Sequence, residues 1–130
     1  MLDEKYAWHT QETYKSLMEY GTNVLRYCFI TNGAAIVALL TFVGNLSSKS
    51  GKVPDMRLPA AIFVLGLVFA GAAGLVAYLV QFKLLTEAVS PSDSNGGRVH
   101  KRLLWLTLAA TVTSMTLFAG GSLVAVSRLH

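Results

Sequence analysis

The chain has 130 residues, 53% of them hydrophobic and 14% charged, with a formal charge of +4 and an isoelectric point near 9.4. Soluble domains carry roughly 25% charged residues, and one small core cannot hide this much apolar surface, so an ordinary soluble globule is excluded and lipid is the natural solvent. The basic residues flank apolar segments without forming a stripe interleaved with aromatics, a pattern that suits anionic headgroups and argues against a nucleic-acid partner.

Residues 1–22 are polar, carry Tyr6, Trp8, Tyr14 and Tyr20, and contain no proline. Ala7, Thr10, Tyr14, Leu17, Gly21, Val24 and Cys28 follow alternating steps of three and four, and the row continues through Thr31, Ala35, Ala38 and Phe42. That spacing predicts one long helix: an amphipathic arm outside the bilayer that enters the membrane near Val24. The first membrane segment is 24–43, close to a ~30 Å hydrocarbon core at ~1.5 Å per residue. The leading polar region and the apolar run are both too long for a cleaved signal peptide, and no small-x-small site follows, so a retained helix is expected. Gly44-Asn45 reads as the start of a polar loop reaching Asp55.

The second segment is 58–82, with Pro59 in the first turn, where a missing N–H costs little. Gly66, Ala70, Gly74 and Tyr78 recur every four residues, a small-residue face suited to close helix approach. Residues 83–102 read as a flexible loop through Pro91, Ser92, Asp93, Ser94, Asn95, Gly96 and Gly97, with Leu84, Leu85, Ala88 and Val89 able to extend the second helix along the interface. The glycine pair lacks the Lys-Ser/Thr of a phosphate-binding loop, so it reads as a plain turn. The third segment is 103–126. Its Thr107, Thr111, Ser114, Phe118, Gly121 and Ala125 share a face, and Thr113, Thr116 and Ser122 add further hydroxyls. The fold class expected is an all-α integral membrane protein: a single domain, 1–130, of three transmembrane helices, the first extended by the N-terminal arm.

Membrane enzymes and proton carriers keep ionisable or metal-binding groups at membrane depth. No Asp, Glu, Lys or His lies well inside a segment, and Arg26 stands near enough to an end to snorkel. His9, His100 and His130 all fall outside the segments, which argues against an intramembrane haem pair. His9 and Glu12, three apart, read as a solvated helix surface, since a di-iron site needs a second such pair. One cysteine, Cys28, allows neither an intrachain disulfide nor a cysteine-based metal cluster. The expectation is therefore a non-enzyme with no catalytic, cofactor-binding or metal-ligating residues.

Asn32, within the polar stretch Thr31-Asn32-Gly33-Ala34-Ala35, must face protein or water, because lipid cannot satisfy its amide. It reads as an interhelical hydrogen bond or as part of a pore-lining ring. The third segment poses the same choice. The candidate packing or pore-lining residues are Asn32, Gly66, Ala70, Gly74, Thr107, Thr111, Ser114 and Gly121.

With three crossings, Lys5, Lys15, Arg26, Lys83, Arg98, Lys101 and Arg102 share one side, against Lys49, Lys52, Arg57 and Arg128 on the other. This seven-to-four bias orients the N-terminus to the cytoplasm and the C-terminus outward, in a bacterial inner membrane. The expected function is a small membrane protein that self-associates or scaffolds a complex, its partners being the bilayer and copies of itself or another membrane protein. The alternative is an oligomeric pore: in size and crossing number the chain resembles bacteriophage holins and small membrane effectors of antiviral defence, a resemblance of architecture without a shared motif.

Overall fold

The computed structural model describes residues 2–50, 54–89 and 96–129, which form three helices: α1 (Leu2–Ser50), α2 (Arg57–Val89) and α3 (Gly96–Ser127). The chain is about 95% helical, with no strand among the described residues. Each helix contains a stretch long and apolar enough to cross a membrane by length and composition: Gln11–Lys49, Arg57–Leu84 and Lys101–Ser127.

α1 is unbroken over 49 residues, about 73 Å at the standard helical rise. Gly44 and Asn45 do not open a loop, as the sequence suggested. A lone glycine costs a helix about 1 kcal/mol and asparagine less, too little to end a helix already propagating with no proline to block it. Local hydroxyls also bond back to the helix: Ser47 Oγ donates to the Val43 carbonyl (3.0 Å) and Ser48 Oγ to the Asn45 carbonyl (2.9 Å). Lys49 in the last turn complements the negative end of the helix dipole.

α2 begins where Asp55 Oδ1 accepts the Arg57 N–H at 3.1 Å and the Met56 carbonyl accepts the Ala60 N–H at 3.1 Å. Pro59 falls in this first turn, where an N–H would have no intrahelical partner. The stretch 83–102, read as a loop, is helical on both flanks: α2 continues to Val89, and Gly96-Gly97 opens α3. Leu84, Leu85, Ala88 and Val89 prolong the helical apolar spacing. Pro91 to Asn95 lie outside the described residues.

α2 and α3 form the principal contact, while α1 lies mainly on α2 and touches α3 least. Met56, just before α2, and on α2 itself Pro59, Phe63, Gly66, Ala70, Ala73 and Val80 are buried, spaced by threes and fours or their sum. The every-fourth-residue row from Gly66 does not continue inward: Gly74 is half-buried and Tyr78 is 64% exposed. A four-residue step overshoots a 3.6-residue turn by about 40°, so such a row winds off any straight contact, whereas steps averaging 3.5 stay on it. On α3, Thr111, Ser114 and Gly121 are buried and Thr107, Phe118 and Ala125 half-buried. The rings of Phe63 and Phe118 meet at 6.0 Å between centroids, tilted by 47°. Gly121 lies against Phe63, where a Cβ would stand 2.8 Å from the ring.

The α1 contact face differs from the row read in the sequence. Cys28 and Asn32 are buried, with Leu25, Ala35, Ile36, Leu39, Val43 and Leu46 half-buried. Tyr14, Leu17, Val24, Ala38 and Phe42 from the earlier row are exposed. The inward face turns one position at Asn32 because a polar amide gains more from a protein partner than the neighbouring Thr31, whose hydroxyl donates to its own helix at the Tyr27 carbonyl (2.9 Å).

Candidate functional site

The centre of the bundle holds a small, uncharged polar node. Asn32 and Ser114 are both 0% exposed. Asn32 Nδ2 donates to the Cys28 carbonyl one turn earlier (3.0 Å) and to Ser114 Oγ across the interface (3.2 Å). Ser114 Oγ in turn donates to the Gly66 carbonyl at 2.8 Å. One relay thus joins α1 to α3 and α3 to α2. The amide orientation follows from chemistry: a carbonyl can only accept, so the nitrogen, not Oδ1, must face Cys28 O.

Asn32 Oδ1 is buried without an N–H or O–H partner. It faces Gly66 so closely that a Cβ there would overlap it and would sit 2.8 Å from Asn32 Cγ. The Gly66 hydrogen that stands in the Cβ direction points at Oδ1, a Cα–H···O contact worth about 0.5–1 kcal/mol. Gly66 is therefore the seat of Asn32. Ser114 stands 13 residues from Lys101 and 14 from Arg128, about 20 Å either way, which places the node at mid-depth of α3.

The other α3 hydroxyls do not reach across. Thr107, Thr111, Thr113, Thr116 and Ser122 each donate to the carbonyl four residues earlier, at 2.8–3.0 Å. Each is satisfied without water or a partner helix.

On the side of the node toward the α1 N-terminus, the helices part around a cleft of about 570 Å³. Its walls are apolar: Leu25 and Val24 on α1, Gly74, Ala77 and Val80 on α2, Leu104 and Leu108 on α3. Thr107 and Thr111 also line it, with their hydroxyls turned to their own helix. Gln81 Nε2 donates to Met18 Sδ at 3.0 Å across one end. A Cβ on Gly21 or Gly74 would meet nothing within 4 Å. A second recess, of about 590 Å³, borders the start of α2 near Leu39, Val43, Asp55 and Arg57, where the Asp55 carboxylate already caps the helix.

The structure thus brings Asn32, Gly66 and Ser114 together, buries Ala70 beside them along α2, places Gly74, Thr107 and Thr111 at the cleft, and sets Gly121 apart against Phe63. Sequence reasoning named Asn32 and Ser114 separately but missed that one donates to the other, and missed the cleft with Gly21 and Gln81. Gln81, an uncharged polar residue at the end of an apolar run, was the available signal. On the arm, Lys15 Nζ pairs with Glu12 Oε1 at 3.2 Å, and the Trp8 and His9 rings meet edge-on at 6.2 Å, all at the surface. Among the described residues no three His, Cys, Asp or Glu converge as metal ligands. No protein-family model, curated protein or solved structure matches this chain.

Proposed function

We propose that the chain is a non-enzymatic integral membrane protein that associates with copies of itself, or scaffolds a membrane complex, through helix faces left open by the three-helix unit. The observation that carries this reading is the division among its glycines. Gly66 and Gly121 are each required by a contact inside the chain, whereas Gly33, Gly71 and Gly120 meet nothing within 4 Å of a Cβ position. A helical glycine costs about 1 kcal/mol relative to alanine, and in a membrane that cost is offset where another helix approaches closely. The node adds support, since its polar groups are engaged in joining helices and carry no charge. In this reading the protein lies in a bacterial inner membrane, with the N-terminus cytoplasmic and the C-terminus outside.

The test is the mass of the purified protein in mild detergent, by light scattering corrected for bound detergent. An oligomer that dissociates on dilution is expected; a monomer at every usable concentration overturns the proposal. The pore alternative draws less support. Asn32 and Ser114 are enclosed between helices of one chain, and the α3 threonines bond their own carbonyls, so neither row presents an exposed, unbonded polar group to a channel. Depolarisation of cells on induced expression, read with a membrane-potential dye, would favour the pore instead.

A further inference from the structure

We propose that the cleft beside the node seats one acyl chain of an anionic phospholipid, with the headgroup held at its mouth by Lys101 and the neighbouring cations. The inference rests on the membrane-spanning reading and is independent of self-association.

The first support is the cleft's form. It lies between helices at membrane depth, is walled by Leu, Val, Ala and Gly, and has a volume of about 570 Å³, within the roughly 300–1,000 Å³ of small-ligand sites. Its threonine hydroxyls, of Thr22, Thr107 and Thr111, are already bonded to their own helix, and its other polar groups, on Tyr78 and Gln81, lie on α2 toward the outer end, so the inner part offers a ligand contact without a hydrogen bond. An alkyl chain suits such walls, and a polar molecule would lose its hydration there without replacement.

The second support is charge complementarity at one end. The cleft's inner end, at Leu25, Gly74 and Thr111, stops about one turn short of the node on α3 and about two turns short on α1 and α2. Its outer end is Met18, Gln81 and Leu104. Lys101 lies three residues before Leu104, so it extends the cleft-lining face of α3 by one turn, and Arg102 and Lys83 stand at the same level. Lys101 and Arg102 are exposed. On α1, Lys15 lies one turn beyond Met18, with Glu12 as its counter-ion, and the other acids near this end are Glu19 and, four residues beyond Lys83, Glu87, so that Lys15, Lys83, Lys101 and Arg102 stand against three carboxylates. Cations exceed acids here, and each lysine or arginine at a membrane surface favours an anionic headgroup about fivefold. Apolar walls ending at a cationic rim match a lipid whose tail enters the cleft and whose phosphate stays at the mouth.

The test is native mass spectrometry of the full chain from detergent, titrated with palmitoyl-oleoyl phosphatidylglycerol or with the phosphatidylcholine of the same chains. Wild type is expected to retain one phosphatidylglycerol per chain in preference to phosphatidylcholine. Gly21→Leu fills the cleft where a Cβ meets nothing and removes a helix-disfavouring glycine, so the fold is kept; it is expected to abolish retention of both lipids. Lys101→Gln is expected to lower the preference for phosphatidylglycerol about fivefold while phosphatidylcholine binding stays as in wild type. Equal retention of the two lipids by wild type, or unchanged retention in Gly21→Leu, overturns the proposal. So does a Gly21→Leu variant that loses oligomer mass with no change in lipid, since a second copy is then the occupant.

Discussion

At the scale of single residues, the node makes a claim about exchange of space. Gly66→Ala sets a methyl where Asn32 Oδ1 and Cγ stand, and neither side chain has exposed space to move into. Overpacking of this kind costs about 1–3 kcal/mol. Asn32→Ala removes the obstruction, so the double variant is expected to be more stable than the sum of the two losses implies. Reversible unfolding in mixed micelles measures the cycle, and strict additivity would show that the two residues do not meet. Ser114→Ala is expected to cost about 0.6 to 1.7 kcal/mol, from the average to the upper limit for hydrogen bonds between membrane helices. Thr116→Ala, which deletes a hydroxyl bonded only to Val112 O, is expected to be near neutral. The pair separates a hydroxyl that joins helices from one that does not. From the sequence the two look alike, because serine and threonine are equally able to bond their own helix; only the neighbour across the interface decides which of them turns away from it.

At the scale of elements, α1 is the informative case. Its helical periodicity was legible from Ala7 to Phe42, and the structure carries the helix past Gly44-Asn45 to Ser50. Because Gly44 is helical, Gly44→Ala is expected to stabilise by about 0.5–1 kcal/mol, since its Cβ meets nothing within 4 Å. A protease acting on the detergent-solubilised protein is expected to spare bonds between residues 44 and 49; ready cleavage there would return the segment to a loop. The inward face of α1 was harder to read. A row of small and apolar residues recurs on more than one face of this helix, and periodicity alone does not say which face a neighbour covers. The burial of Asn32 settles the rotation. For α2, tight spacing of Gly66, Ala70 and Gly74 suggested a four-residue row, but the buried face follows Gly66, Ala70 and Ala73, because a seam between long helices needs a mean step near 3.5.

At the scale of the whole molecule, three helices enclose little. Cys28 is 1% exposed, and its carbonyl accepts from Asn32, so its thiol reports on opening of the bundle. Maleimide labelling of native protein is expected to be slow and to quicken in Ser114→Ala, where α3 loses its bond to Asn32, but not in Thr116→Ala; equal rates in all three would mean that the node does not hold the bundle closed. Gly71→Leu adds bulk on an open face and is expected to shift the mass in detergent toward monomer without lowering unfolding stability. A loss of stability with unchanged mass would place Gly71 in the chain's own packing instead.

The run of residues along the chain determined three helices long and apolar enough to cross a membrane. Partition between water and lipid sums over residues regardless of their order in space, so long apolar runs with flanking cations are readable without coordinates. The same holds for the absence of acids, bases and metal-binding clusters from the centre of those runs. What required the tertiary structure was every relation between helices: that Asn32 donates to Ser114, that Gly66 is the seat of an amide, that Gly121 yields to Phe63, and that the helices part around a cleft near Gly21 and Gln81. Those relations depend on the rotation and depth of each helix, which polar groups set by finding partners where lipid offers none. The three apolar segments are a property of the chain, and the node and the cleft beside it are properties of their packing.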